Sequence, residues 1–251
     1  MATLHRLNTI ISDMQEPYQP APIAKIQAEK ATLRRSLLKA RQAMPPQVWQ
    51  QKCDRICTHL SQWPPFQSAR TVLAYCSFRK EPDLGSLLAQ QRSWGLPRCE
   101  GKTLVWHRWF PTCGWPLRPG TYGIVEPDPT SPPVEPHKVD LILVPAVACD
   151  VHGYRLGYGG GFYDRMLSQP QWQNIPTLGI VFEFARLPKV PKNSWDRPLN
   201  GLCTESGLFL AHRQPPQGNA IPLQNTPTTP RTTPESSGIQ LPTLGPNSKP
   251  S

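Results

Sequence analysis

Residues 139–167 read VDLILVPAVACDVHGYRLGYGGGFYDRML, and this stretch decides the fold. From Leu141 to Pro145 the run is apolar without a break. A strand with one face in water alternates apolar and polar side chains, so an unbroken run points to burial on both faces. A sheet buried on both faces is mostly parallel and covered by helices. After the strand come Gly157, Gly159, Gly160 and Gly161, and then a helical pattern holding Phe162, Asp164 and Leu167. Glycines let a backbone approach a ligand closely, and a helix start adds positive potential, so strand, glycine turn and helix together suit a phosphate. In open α/β sheets ligands collect at this carboxyl end of the strands. Arg155 and Asp164 flank the turn; one can meet a phosphate and the other a metal ion. The motif is not a Walker loop, because no Gly-Lys-Ser/Thr follows. Nor is it G-x-G-x-x-G, because Phe162 takes the last glycine's place. Four glycines would equally serve a tight strand-to-helix turn with no ligand.

Outward from this stretch the chain alternates helix and strand. Ile26, Leu33, Leu37, Ala40 and Met44 fall near one face of a helix whose other faces are basic. PQVWQQKCDRICTHLSQW continues as a second helix, with Pro46 suited to its first turn. TVLAYCSF (71–78), TLVWHRWF (103–110) and TLGIVFE (177–183) read as strands, and DLGSLLAQQRSW (83–94) as a helix. The reading is α/β, with a domain over residues 26–211. No internal repeat interrupts it.

The ends differ in composition. The chain has 251 residues and 32 prolines, about 13% where roughly 5% is ordinary. Prolines crowd residues 212–251, where no Phe, Trp or Tyr occurs. Such a Pro/Thr-rich tail cannot bury enough apolar surface to offset its ordering entropy and is expected to be disordered. Residues 1–25 read as a flexible arm. No run approaches the ~18 apolar residues of a membrane span. The N-terminus lacks the apolar core of an export signal, and Asp13 and Glu16 disfavour a transit peptide. Seven cysteines without a C-x-x-C pair read as reduced thiols in the cytoplasm. A net charge of +10 invites a nucleic-acid partner, but the basic residues are scattered and no aromatic stacking platform interleaves them.

Several segments in order carry a resemblance. R-L-G-Y-G-G-G-F-Y-D-R (155–165) is similar to the signature of the 5-formyltetrahydrofolate cyclo-ligase family, also called methenyltetrahydrofolate synthetases. Lys30-Ala-Thr-Leu-Arg34 resembles its N-terminal motif, and Ser77-Phe-Arg-Lys-Glu81 its strand-end segment. PRCEG with LVWHRW, GTYGIVEP, and Asp196 followed by Thr204-Glu205 resemble its middle and closing parts. The resemblance runs from Lys30 to Leu210. It implies a three-layer α/β/α fold like that of ribose-phosphate isomerases and CoA transferases. It also implies a ligase that turns ATP and 5-formyltetrahydrofolate into ADP, phosphate and 5,10-methenyltetrahydrofolate, with Mg²⁺ and through an N5-iminium phosphate.

By resemblance, Lys30, Arg34 and the segment Arg155, Leu156, Gly157, Tyr158, Gly159, Gly160, Gly161, Phe162 and Tyr163 would hold ATP. Asp164 and Asp196 would hold the metal, and Arg155 and Asp164 would be catalytic. Cys76, Glu81, Trp106 and Tyr122 would line the folate, Glu81 meeting the pterin's N–H groups. The partners implied are the folate, with its polyglutamylated forms, and ATP; the protein would be a monomer with no nucleic acid and no membrane. Trp195 stands where histidine is common in the family and Asn200 where an acid is common, and both bear on Asp196. Two other readings compete: a cyclo-ligase-like module recruited to RNA, and a sugar-phosphate isomerase or acyl-CoA transferase using Glu81 or Glu126.

Overall fold

A computed structural model describes residues 23–212; the tail from Arg213 onward and residues 1–22 of the N-terminal arm lie outside the described residues. Helix α1 (Ile23–Ala43) contains no glycine or proline and is rich in Ala, Leu, Lys, Arg and Gln, all good helix formers. Its described span begins three residues before the domain start expected at 26. Its inward stripe also differs from expectation. Ala40 is exposed, while Lys30 and Arg41 are buried, sharing the stripe with half-buried Leu33 and Leu37. The long apolar stems of these two cations let them take core-facing positions while their heads reach polar partners.

Helix α2 (Pro46–Gln62) has proline in its first turn and buries Cys53, Ile56, Cys57 and Leu60 on one face. The short helix α3 (Pro64–Ser68) leads into β1 (Thr71–Leu73). Asp140 seats that strand, its Oδ2 accepting from the Arg70 and Thr71 N–H groups at 2.8 Å. The expected strand through Phe78 ends five residues early, ahead of the turn at Arg79 and Lys80. The expected helix over 83–94 shrinks to α4 (Gly85–Leu88), because Trp94 and Leu96, both at 0% exposure, join the next strand. That strand, β2 (Ser93–Glu100), turns at Gly101 into β3 (Thr103–Trp109). It tolerates Pro97 because its pairing with β1 ends at Gly95. There follow a small hairpin of β4 (Leu117–Pro119) and β5 (Val125–Pro127), the buried strand β6 (Leu141–Pro145), and β7 (Ala148–Asp150) paired with β8 (Arg155–Leu156). Helix α5 (Phe162–Leu167), β9 (Thr177–Ile180), β10 (Arg186–Leu187), β11 (Gly201–Thr204) and β12 (Gly207–Leu210) complete the chain.

Seven strands form the main sheet in the order β12-β11-β9-β6-β1-β2-β3. The five central strands are parallel, and β3 and β12 add antiparallel edges. Both faces are covered. Along β6, Leu141 and Leu143 enter one core with Ile56, Leu60 and Phe66, whereas Ile142 and Val144 enter the other with Leu156 and Met166. Burying one such side chain stabilises by roughly 1.5–3 kcal/mol, so a strand feeding two cores is fixed on both sides. Helices α2 to α4 cover the first face. Helices α1 and α5, with the small β10-β7-β8 sheet, cover the second, giving three layers.

Candidate active site

The parallel strands give the site its place. Taken in chain order, the connection leaves β1 toward β2 on one side and continues from β6 toward β9 on the other, so the winding reverses between β1 and β6. A crevice opens outside the carboxyl ends of strands at such a switch point. One wall comes from residues 74–81 after β1, and the other from residues 146–164 after β6.

On the first wall Arg79 and Lys80 both have positive φ, +48° and +54°. Each such residue costs on the order of 1–2 kcal/mol, so neighbours must hold the turn. Lys80 Nζ donates to the Gln42 and Met44 carbonyls at 2.9 and 2.6 Å, and Arg41 Nε donates to the Arg79 carbonyl at 3.0 Å. Trp49 Nε1 and Ser77 Oγ donate to the Glu81 carbonyl. This frame holds the Glu81 carboxylate, which accepts from the Phe78 N–H at 3.0 Å and is 3% exposed. Burial raises its pKa from 4.5 to about 7, against the pull of the Arg41 guanidinium, the Phe78 N–H and the Tyr158 hydroxyl. Nearby, burial pushes the half-buried Cys76 thiol up to about 12, so it is a neutral wall and not a nucleophile. Tyr163 stacks edge-on against Trp106 at 6.3 Å, and the Trp106 Nε1 is buried without a partner among the described residues.

On the second wall Gly159 and Gly161 take φ of +109° and +66°, conformations that favour glycine. The Gly157 carbonyl accepts from Arg34 Nε at 2.8 Å, and the Gly160 carbonyl accepts from the Arg165 guanidinium at 2.8 Å. Among the described residues the N–H groups of 157–161 donate no hydrogen bond. Five consecutive donors are thus left open to solvent or to a bound anion. Helix α5 spans only six residues, so the helix-start potential expected from the sequence is slight; the peptide N–H groups and the cations carry the charge complementarity. Arg155, on β8, donates to Asp164 Oδ1 at 2.7 Å and to the Arg197 carbonyl at 3.0 Å. The Arg197 N–H also reaches Asp164, at 3.4 Å, which draws the Asp196 segment to the glycine turn. Asp196 pairs with buried Lys30 and accepts from the Asn193 N–H.

The fold thus gathers Lys30, Arg34, Arg155, Asp164 and Asp196 from segments up to 166 positions apart, around residues 157–161. Trp106 and Tyr163 pack together on the second face of the sheet and Cys76 packs on the first, while Tyr163 lies within electrostatic reach of Glu81 and Cys76. Tyr122 does not join them: it is 53% exposed on the β4–β5 hairpin and packs edge-on against Phe162 at 5.9 Å, on the glycine-turn side. Trp195 is half-exposed. Asn200 accepts from the Thr177 N–H and hydroxyl at the opposite, amino end of the sheet, far from Asp196's role. Sequence reading did not single out Arg41, Arg165 or Asn193. Only Arg41 left a signal, eleven positions after Lys30 and seven after Arg34, on the same helix face.

The donor set can be tested against a metal. Asp164 Oδ2 and Asp196 Oδ1 take no hydrogen bond among the described residues, and both are hard oxygens. Beside them the Asn193 amide is buried with neither side-chain atom partnered, a costly state unless something bound or a water satisfies it. No three His, Cys, Asp or Glu side chains cluster among the described residues, so an ion here would share phosphate oxygens and water, as Mg²⁺ does. The residues fit. The Lys30–Asp196 pair is itself structural: Lys30→Met leaves a buried carboxylate unpaired and is expected to lower stability by about 3 kcal/mol, read as a clear fall in melting temperature.

Sheet order, switch point, glycine turn and buried carboxylate are those of an α/β enzyme of the doubly covered, mostly parallel class. Residues 26–205 match the 5-formyltetrahydrofolate cyclo-ligase family. The chain belongs to that family, whose members are ligases that form a C–N bond. The 5-formyltetrahydrofolate cyclo-ligase of Escherichia coli K12 is 30% identical over 177 residues, 67% of this chain and 96% of that protein. The Mycolicibacterium smegmatis enzyme of the same name is 30% identical, over 73% of this chain and 97% of its own. The solution structure of the 5,10-methenyltetrahydrofolate synthetase of Aquifex aeolicus superposes with a TM-score of 0.65 at 29% identity, covering 78% of this chain and 99% of that one.

Proposed function

We propose that the protein cyclises 5-formyltetrahydrofolate to 5,10-methenyltetrahydrofolate at the expense of ATP, in the presence of Mg²⁺, through residues 26–211. The observation that carries this is the pairing, in one crevice, of five free peptide donors over residues 157–161 with the buried Glu81 carboxylate. One subsite suits a triphosphate and the other a flat ring edged with N–H groups.

In this reading the formyl oxygen attacks the γ-phosphorus and ADP leaves. N10 then adds to the activated carbon, loses its proton, and phosphate departs as the C–N double bond forms. No protein nucleophile is needed, which agrees with the neutral Cys76 thiol. Lys30, Arg34, Arg155 and the N–H groups of 157–161 would bind and orient the phosphates, so that charge developing on the transferring group meets fixed donors. Asp164 and Asp196 would hold Mg²⁺, which supplies neutralising charge at the phosphate oxygens. Glu81 would accept from the pterin, while Trp106, Tyr163 and Cys76 wall it and exclude water. Tyr122 would close over the outer, nucleotide side.

A basic surface suits both anionic partners, including polyglutamylated folates, without nucleic acid. No helix among the described residues is long and apolar enough to cross a membrane, and all seven cysteines are free thiols. Free thiols suit a reducing compartment such as the cytoplasm, where we place the protein as a monomer.

The test is the rise in absorbance of 5,10-methenyltetrahydrofolate from 5-formyltetrahydrofolate, with and without ATP and Mg²⁺. Turnover that needs both supports the reading; folded protein that binds ATP without turning over overturns the substrate. The cradle has its own test. Gly159→Val forces a β-branched residue to φ +109° and places its Cβ within 3.8 Å of the Arg34 guanidinium. ATP affinity by calorimetry is expected to fall at least about tenfold, a loss of ~1.4 kcal/mol. Unchanged affinity would mean that the loop does not carry the phosphates.

A further inference from the structure

Arg41 carries a charge that the two-subsite reading leaves unused. It stands near the end of α1 and is 3% exposed. Burying a lone guanidinium costs several kcal/mol unless its donors and charge are matched. The match comes from two directions. Nε donates to the Arg79 carbonyl at 3.0 Å, inside the left-handed turn that delivers Glu81. The terminal nitrogen donates to the Tyr158 hydroxyl of the glycine loop, and the guanidinium carbon lies 5.5 Å from the centre of the Tyr158 ring. Tyr158 in turn packs at 6.3 Å against Phe78, two residues ahead of Lys80 in that same turn.

We propose that Arg41 is a positioning residue for the cyclisation: one buried cation ties the turn bearing Glu81 to the glycine loop and supplies the counter-charge of that carboxylate. This rests on the reading of Glu81 as the pterin's partner. Lys30, Arg34 and Arg41 share one face of α1, and Lys30 and Arg41 stand about 16 Å apart along it. The helix is therefore a single strut, with Lys30 and Arg34 bearing on the nucleotide end and Arg41 on the folate end. A planar fork is what the task requires, since Nε and the terminal nitrogen must donate to different walls at once; an ammonium is a point charge and cannot hold both. The groups that act electrostatically on Glu81 or it on them are Arg41 from α1, Tyr158 from the glycine loop, Tyr163 from α5, Tyr75 from just past β1, and the Phe78 N–H, which donates to it. Arg41 is the cation in this set. Burial drives Glu81 toward its neutral form, and Arg41 opposes that drive.

The experiment compares the full chain with Arg41→Leu, Arg41→Lys and Glu81→Gln, measuring kcat/KM for 5-formyltetrahydrofolate across pH and each variant's melting temperature. In Arg41→Leu the acid limb is expected to move up by about one pH unit, the size of effect a nearby opposite charge produces. KM for the folate should rise more than KM for ATP. Arg41→Lys keeps the charge and loses the fork, so its acid limb should stay in place while KM for the folate rises about tenfold. If Arg41→Leu does not fold, Arg41→Lys decides alone, and an unchanged KM overturns the proposal. An unmoved acid limb in folded Arg41→Leu, with folate binding lost in Glu81→Gln, also overturns it while leaving the pterin reading intact. Parental folate affinity in Glu81→Gln removes that reading itself, and the proposal with it.

Discussion

Asp164→Asn is expected to lower turnover by about 10²–10³-fold while the melting temperature falls by only a few degrees. The two effects separate because, on the proposed reading, the carboxylate has two tasks. As a structural partner it accepts from Arg155 at 2.7 Å, and an asparagine oxygen can still accept there. Arg155 keeps its bond to the Arg197 carbonyl as well. The side chain of Asp164 is 28% exposed, so solvent screens part of the lost attraction and the stability cost is on the order of 1–2 kcal/mol. That corresponds to roughly 2–4 °C per kcal/mol in a domain of this size. In the reaction the loss is larger. A neutral amide supplies neither the negative oxygen a hard divalent ion selects nor the fixed charge that orients Arg155 toward the phosphates. Steady-state turnover and a thermal melt on the same preparation check both halves. Turnover within about threefold of the parent would remove Asp164 from the site.

What could be read in advance divides by distance along the chain. Residues 139–167 hold strand, loop and short helix in one stretch, so local pattern identified the sheet class and the glycine turn. Helix α2 was legible for the same reason: Cys53, Ile56, Cys57 and Leu60 repeat at helical spacing behind a first-turn proline. Strand β2 was hidden because Ser93 and Trp94 close a stretch with helical pattern, and because the strand itself holds Gly95 and Pro97, residues that strands disfavour. Strand β1 looked longer than it is. The apolar Tyr75 and Cys76 suggest continuation, but the chain is bent there to make the turn that delivers Glu81. The basic residues of α1 gave no local sign of burial because their partners are remote: Asp196 for Lys30, the Gly157 carbonyl for Arg34, Tyr158 for Arg41. Pairings of that kind follow from topology, which no local window contains. The resemblance supplied Lys30, Arg34 and Asp196 as site residues; it did not supply their mutual contacts, and it put Tyr122 on the folate wall, whereas its ring packs beside Phe162.

Glu81→Gln should stabilise the fold while removing folate binding, and pH should separate the two consequences. The carboxyl has a pKa of about 7 in the folded protein against an ordinary 4.5, with burial the main cause. A raised acid pKa means that the folded state holds its proton more tightly than the unfolded chain. Below about pH 4.5 both states are protonated and the residue brings no penalty. As pH rises toward and past 7 the folded state must carry a buried carboxylate, and stability falls by an amount on the order of 3 kcal/mol. A glutamine never ionises, so the variant's advantage in melting temperature should be absent at low pH, grow between about 4.5 and 7, and level off above. Binding runs the other way. The pterin's N–H groups need an acceptor bearing charge, and a neutral amide in a buried site loses about 2–3 kcal/mol of that interaction, close to 10²-fold in affinity. In the parent, folate affinity should therefore decline as pH falls below 7, just where the fold gains stability. On the proposed reading, the carboxylate is kept at a cost in stability because it binds the folate. Equal melting curves for parent and variant at pH 8 would show that the charge is not buried in solution, and undiminished folate affinity in the variant would move the pterin elsewhere.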